Sequence, residues 1–173
     1  AWTVGFVVFV QAQMGQNAHP GSGVDPTVLA AVINIAGLPA ILFANEVARR
    51  VDRRTTIIIV MMASSCVGLA LAGAAAGPFV AVLTLLVIYG VLVPADSGSI
   101  NAGLLEVADP ASRGSILGLH AVIGFAGAFL GPVLFGLALD MAGGPTDHGA
   151  WIAAFACFVA LASAGSYVLW RWS

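Results

Sequence analysis

Lysine is absent from this chain of 173 residues, and charge of either sign is scarce: six arginines and eight acids make up 8% of the sequence. A soluble domain of this length needs a far more polar surface, so the deficit makes lipid the expected solvent. Cysteine is nearly lacking as well. Cys66 and Cys157 fall within separate apolar runs, with no second ligand near either in sequence. Neither a disulfide framework nor a metal site is expected, and no cofactor is implied. The net charge is −2, with no basic groove and no interleaving of basic and aromatic residues. Nothing here suits a phosphate backbone, which removes nucleic acid as a partner.

What the chain has instead is apolar length. Hydrophobic residues make up 60% of it, in runs of about 20 residues that can cross a hydrocarbon core of about 30 Å. These runs predict an all-α, polytopic membrane protein with six transmembrane helices, at residues 1–16, 26–48, 55–76, 78–105, 112–141 and 150–170. The first run begins on Ala1, has no basic leader and is apolar at once. It reads as a truncated span rather than a signal peptide, and the chain as a fragment of a longer one. With no linker above about ten residues, the helices are expected to form one compact bundle of antiparallel neighbours.

Arginine placement sets an orientation. Arg49, Arg50, Arg53 and Arg54 crowd the link between the second and third helices, Arg113 opens the fifth, and Arg171 follows the sixth. The alternate connections, at 17–25, 73–78 and 143–149, carry no basic residue other than histidine. All six arginines therefore share one side, and the positive-inside rule makes both chain ends cytoplasmic, in a cytoplasmic (inner) membrane.

The fifth helix is rich in glycine, with Gly114, Gly118, Gly124, Gly127, Gly131 and Gly136 in one span, several of them four residues apart or nearly so. In lipid, a stripe without side chains lets a neighbouring backbone approach closely. Pro132 weakens the bond to the Ala128 carbonyl and predicts a kink. Tight packing and a hinge both account for the pattern.

Two segments resemble the major facilitator superfamily of secondary transporters. The loop Asn45 to Arg54, NEVARRVDRR, is similar to the family's loop motif GxLADRxGRR, with Val47, Ala48, Arg50, Arg53 and Arg54 in agreement and Asn45, Arg49 and Asp52 departing from it. Along the fifth helix, Gly118, Gly127, Gly131, Pro132 and Gly136 resemble the antiporter motif G-x8-G-x3-GP-x2-GG, which Phe135 breaks at its penultimate glycine. The departure at Arg49 replaces the family's aspartate, so a gating role for that acid does not carry over. The degenerate loop, a fourth helix without arginine and the absence of a long basic loop after the sixth helix together point to helices seven to twelve. The resemblance implies the carboxy-terminal half of a major facilitator fold, completed by a missing amino-terminal six-helix half. It implies alternating access for a small organic solute, tilted towards proton-coupled efflux by an antiporter, and no enzyme activity.

Polar residues inside the runs are the candidate site. An acid at the bilayer centre facing lipid costs about 2.5–3.5 kcal/mol, so Asp96 should face protein or water. At about 1.5 Å per residue, Asp96 and His120 lie near one depth on adjacent helices. They are candidates for a proton-coupling pair, with a buried pair that only fixes packing as the alternative. Pro94 predicts a bend beside Ser97, Ser99 and Asn101. Gln11, Gln13, Asn34, Tyr89 and Asn101 are candidate substrate hydrogen-bonders, with interhelical packing the commoner role for any one of them. Asp109 and Pro110 suit a helix start. Glu106 shares a membrane face with Arg50, Arg53 and Arg54, as a gating latch or as a static surface pair.

Other classes fit less of the chain. A six-helix membrane protease of the rhomboid type needs GxSG on its fourth helix and a histidine base on its sixth. Here the serine segment reads Ala95, Asp96, Ser97, Gly98, and His120 and His148 both precede the last span. A permease subunit driven by ATP fits the helix count but lacks the glycine of the coupling loop after Glu106, Val107 and Ala108. A structural or sensory half-bundle fits the same layout without transport.

Overall fold

The computed structural model describes residues 2–15 and 25–171. The connection expected to carry no basic residue at 17–25 therefore lies, apart from Asp25, outside the described residues. All regular structure in the described residues is helical: α1 (Trp2–Gly15), α2 (Pro26–Arg50), α3 (Arg53–Gly73) with a 3₁₀ turn at Ala74–Ala76, α4 (Phe79–Leu92), α5 (Ala95–Val107), α6 (Arg113–Met141) and α7 (His148–Arg171). Most boundaries fall within about two residues of the sequence reading. Five spans among the described residues are long and apolar enough to cross a membrane, one of them formed by α4 and α5 together. The apolar part of α1, Thr3–Gln13, is shorter. Among the described residues the chain is thus an integral membrane helical bundle with five spans of full length and one shorter apolar helix, where a truncated first span was expected.

The expected fourth helix, 78–105, is two helices. Pro94 has no N–H for the Gly90 carbonyl, so the helical ladder stops there. Val93 N–H still reaches the Tyr89 carbonyl at 2.9 Å, and Ser97 N–H turns back to the Pro94 carbonyl at 3.1 Å to start α5. Pro132, where the kink was expected, leaves α6 unbroken from Arg113 to Met141, as Pro39 leaves α2 unbroken. Proline alone does not decide between the two outcomes.

Packing does. The α2 residues Ile33, Gly37, Ile41 and Asn45, one helical turn apart, lie along the α4–α5 break. A Cβ added at Gly37 would sit 2.9 Å from Pro94 Cγ and 3.2 Å from the Gly90 carbonyl oxygen. One added at Gly98 would come within 2.8 Å of the Ile41 Cγ2 methyl and 2.9 Å of the Ile41 carbonyl, and one at Gly90 would overlap the Cγ2 methyl of Ile33. Glycines on both helices thus remove the atoms that would hold the backbones apart. Van der Waals contact is the available attraction here, because lipid tails give no hydrophobic drive for association between helices.

The packed core occupies one end of the bundle. Phe6 and Val10 of α1, Leu71 of α3 and Ala75 of the turn after it, Val82 and Leu86 of α4, Phe135 of α6, and Trp151 and Phe155 of α7 are buried together. Their rings meet edge to face: Phe6 with Trp151 at 5.1 Å and with Phe155 at 5.5 Å, and Phe135 with Phe155 at 5.3 Å. Such pairs contribute about 0.5–1.5 kcal/mol each beyond their area. The same end is tied by the His148 ring, 3.0 Å from the Ala72 carbonyl, and by the Trp151 indole N–H, which donates to the Pro145 carbonyl at 3.0 Å.

Among the described residues, the glycines of α6 meet almost nothing outside their own helix. No atom lies within 4 Å of a Cβ added at Gly114, Gly118, Gly124, Gly127 or Gly136, and Gly131 alone meets the Phe158 ring, at 3.8 Å. Phe125 and Phe129 beside it are about three-quarters exposed. Close helix approach was expected at α6, and the described residues place it between α2 and α4–α5.

Gly90→Ala is expected to destabilise the bundle by about 1–3 kcal/mol through overpacking, with partial recovery when Ile33 is also cut to Ala. Gly118→Ala and Gly127→Ala should stay within about 0.5 kcal/mol of the parent. Thermal or denaturant unfolding in detergent checks the contrast; equal losses at Gly90 and Gly127 would count against the packing described.

Candidate functional site

The break at Pro94 opens polar space at mid-bundle, between the aromatic core and the arginine end. Two cavities flank it. The first, about 390 Å³, lies among Thr3 of α1, Asn34 and Gly37 of α2, and Tyr89, Gly90 and Pro94. The second, about 210 Å³, lies among Met61, Ser64, Ser65 and Gly68 of α3, Tyr89, Val93 and Asp96, and Phe155, Phe158 and Ala162 of α7. Tyr89 and Val93 line both cavities.

Asp96 stands in the first turn of α5 and is half-buried on the second cavity. The Ser97 hydroxyl approaches its carboxylate at 3.4 Å. The facing hydroxyls of Ser64 and Ser65 both donate to the Met61 carbonyl, at 2.9 and 2.8 Å, so they are held by their own helix. The ion pairs among the described residues all involve Glu46 or Glu106, leaving Asp96 with no basic side chain within 4.0 Å. His120 is half-buried on α6 and makes no hydrogen bond or ion pair with Asp96. No direct bond thus joins the two groups paired on equal depth, and Asp96 lines a cavity walled by α3 and α7.

The candidate hydrogen-bonders separate in the same way. Tyr89 and Asn34 line cavities, although the Asn34 amide already donates to the Ala30 carbonyl at 2.7 Å. Gln11 is half-buried on α1, whereas Gln13 and Asn101 are exposed and line neither cavity. Ser64, Ser65, Met61 and Phe158 enter the site without having been singled out. A serine pair inside an apolar run was the available signal.

The arginine end is a separate polar centre. Arg53, with a side chain 18% exposed, donates to Glu106 Oε1 at 2.6 Å, to Asn45 Oδ1 at 3.2 Å and to the Ser99 carbonyl at 2.9 Å. Its stem fits only because residue 103 is glycine: an added Cβ there would lie 2.8 Å from Arg53 Cδ. Arg54 donates to the Leu169 carbonyl at 3.0 Å and to that of Trp170, covering the carbonyl end of α7. Arg49 and Arg50 pair with Glu46 of their own helix, in solvent-exposed geometry. The ends of α2, α5 and α7 and the start of α3 thus meet at one end of the bundle. Asn45, a departure from the resembled loop motif, is an acceptor for Arg53. Asp52, another departure, caps α3: its carboxylate accepts the Thr55 N–H at 2.7 Å.

That backbone N–H, with the Thr55 hydroxyl and the Arg54 charge behind it, lowers the Asp52 pKa. Asp25, which accepts the N–H groups of Thr27 and Val28 at the start of α2, is lowered for the same reason. Both groups lie outside the spans. A carboxylate with a depressed folded pKa stabilises above its ordinary value and loses that contribution as pH falls through the folded one. The two helix starts are therefore fully capped at neutral pH and loosen only in acid.

Compared with family models, with characterised proteins and with solved structures, the chain gives no significant match.

Two expectations concern the arginine end. Arg53→Ala should cost about 2 kcal/mol or more, since three partners lose a half-buried charged donor, while Glu106→Gln should cost less than about 1 kcal/mol at its exposed side. Arg53→Lys should not restore the wild-type midpoint, as an ammonium lacks the planar fork. Secondly, Asp52→Asn should lower stability at pH 7 and flatten the stability profile below about pH 4 relative to the parent, read from unfolding midpoints across pH.

Proposed function

We propose that this chain is one half of a secondary active transporter, similar to the carboxy-terminal half of a major facilitator protein. It acts on a small organic solute by alternating access together with a second helical unit. One observation carries the reading: an apolar span is interrupted at mid-bundle, and the acid just beyond the interruption faces a cavity instead of a fixed cationic partner. Interrupted transmembrane helices with polar groups near the midplane are a recurrent way to build solute and ion sites in transporters. A purely structural bundle has no need of an intramembrane carboxylate that nothing basic neutralises.

Asp96 is the proton-coupling residue in this reading, and His120 has no part in the exchange. Protonated, Asp96 is neutral and compatible with a closed, dry cavity; ionised, it needs water or a bound cation. Opening the cavity to one side and then the other would let the proton exchange with each compartment in turn. The Arg53 centre, with the arginine end in the cytoplasm under the positive-inside rule, holds α2, α3 and α5 together on one side of that movement. Solute enters from the cavity walls, where Tyr89, Asn34 and the α3 serines supply polar contacts.

The test is proton flux in liposomes reconstituted with the full-length protein under an imposed pH gradient, recorded with an internal pH dye while small organic solutes are screened. Solute-dependent flux is expected, with Asp96→Asn reducing it about 100-fold or more and His120→Gln leaving it near the parent rate. Equal flux in Asp96→Asn would remove coupling from Asp96, and no flux with any solute would overturn the transport reading.

A further inference from the structure

The second cavity combines a carboxylate with aromatic walls, and that combination selects a charge class. Asp96 is its one acidic group, and its polar neighbours Ser64 and Ser65 spend their hydroxyl protons on the Met61 carbonyl. None of the six arginines reaches it: five are at paired or exposed positions of the arginine end, and Arg53 is committed to Glu106, Asn45 and the Ser99 carbonyl. The remaining wall is apolar and polarisable, formed by the rings of Tyr89, Phe155 and Phe158 and by Met61.

Those rings differ in what they can offer. Phe155 is fully buried and already ringed by Phe6, Phe135 and Tyr89, the last edge-on at 6.2 Å with an interplanar angle of 83°. Phe158 meets Phe135 at 5.3 Å on one side and remains partly exposed. Tyr89 and Phe158 therefore supply the accessible ring surface nearest Asp96. Ring faces attract cations through their quadrupole, and the attraction grows where water is excluded. An anion would meet both a carboxylate and electron-rich rings, with no donor held for it; a neutral solute would leave the carboxylate uncompensated. Gly68 lets the Tyr89 ring lie close against α3, since a Cβ there would lie 3.0 Å from Tyr89 Cε2 and 3.7 Å from the Phe155 ring.

We propose that the cavity between α3, α4–α5 and α7 binds a compact organic monocation, an ammonium with short apolar substituents, with Asp96 as its counter-ion and Tyr89 and Phe158 as its aromatic walls. At about 210 Å³ the space is smaller than the 300–1,000 Å³ usual for drug-sized ligands, which sets the upper size. The proposal rests on the transporter reading for its biological meaning but not for its chemistry, because binding needs neither a gradient nor the second half of a transport cycle.

The test measures equilibrium binding to the full-length protein in detergent or nanodiscs, by calorimetry, with choline as the probe and its uncharged isostere 3,3-dimethylbutanol as the comparison. Choline is expected to bind and the isostere to bind at least about tenfold more weakly. Asp96→Asn should weaken choline about tenfold or more without affecting the isostere. Phe158→Leu, which keeps an apolar side chain, should weaken choline about twofold to thirtyfold. Equal affinities for choline and the isostere in the parent protein would overturn the proposal without recourse to any variant, as would unchanged choline binding in a folded Asp96→Asn protein. Choline binding without solute-driven proton flux would sustain the site while the transport reading fails; flux with neutral solutes and no choline binding would do the reverse.

Discussion

The close approach of α2 to the interrupted α4–α5 span is the contact on which the other polar features depend. A proline inside a membrane helix leaves a carbonyl without its donor, and lipid offers no replacement, so an interruption survives only where protein covers it. Here the cover is Gly37, whose missing side chain lets α2 lie against Pro94 and the Gly90 carbonyl, with Ile33 and Ile41 seated on Gly90 and Gly98 one turn to either side. The break then fixes the direction of α5. Asp96 turns to α3 and α7, and Ser99 and Gly103 come under the Arg53 side chain.

The bundle consequently has two differently built ends. Away from the arginines, interlocking aromatic rings and small apolar residues pack the starts of α2, α4 and α7 against the ends of α3 and α6. At the arginine end, directed hydrogen bonds hold the helices: one guanidinium of α3 reaches α2 and α5, and another covers the last carbonyls of α7. Neither kind of packing extends through the middle, where both cavities lie.

Much of this was legible in the sequence, and the limits have physical causes. Apolar length and punctuation gave the helices to within a turn, and arginine placement alone gathered the ends of α2, α5 and α7 on one side. Pro94 beside Asp96 marked the bend. The glycine stripe misled because periodicity says only that residues share a helix face, not what that face meets. Gly118, Gly127 and Gly136 meet no neighbouring element among the described residues, while Gly90 and Gly98, eight apart around a proline, form the tighter contact. The missing bond between Asp96 and His120 has a related reason: depth along a helix follows from counting, but azimuth after a helix break does not. The resemblance to the major facilitator superfamily was carried by the loop and stripe motifs, whereas the site stands on residues outside both.

Charge compensation explains why the mid-bundle acid and the arginine centre act as separate units. Asp96 and Gly103 are seven residues apart on nearly one face of α5, so the Arg53 stem that lies over Gly103 is about 10 Å along the axis from the carboxylate. At an effective dielectric of about 20, a lone cation at that distance would offset an anion by somewhat under 2 kcal/mol. Arg53 is not a lone cation. Its guanidinium lies 2.6 Å from the Glu106 carboxylate, and the field of a close pair falls off faster than that of one charge. The pair therefore secures the helix ends while contributing little at Asp96, whose negative charge must be met from within the cavity. In the proposed reading a proton or the organic monocation meets it there, one at a time, because the carboxylate that anchors a cation must first release its proton.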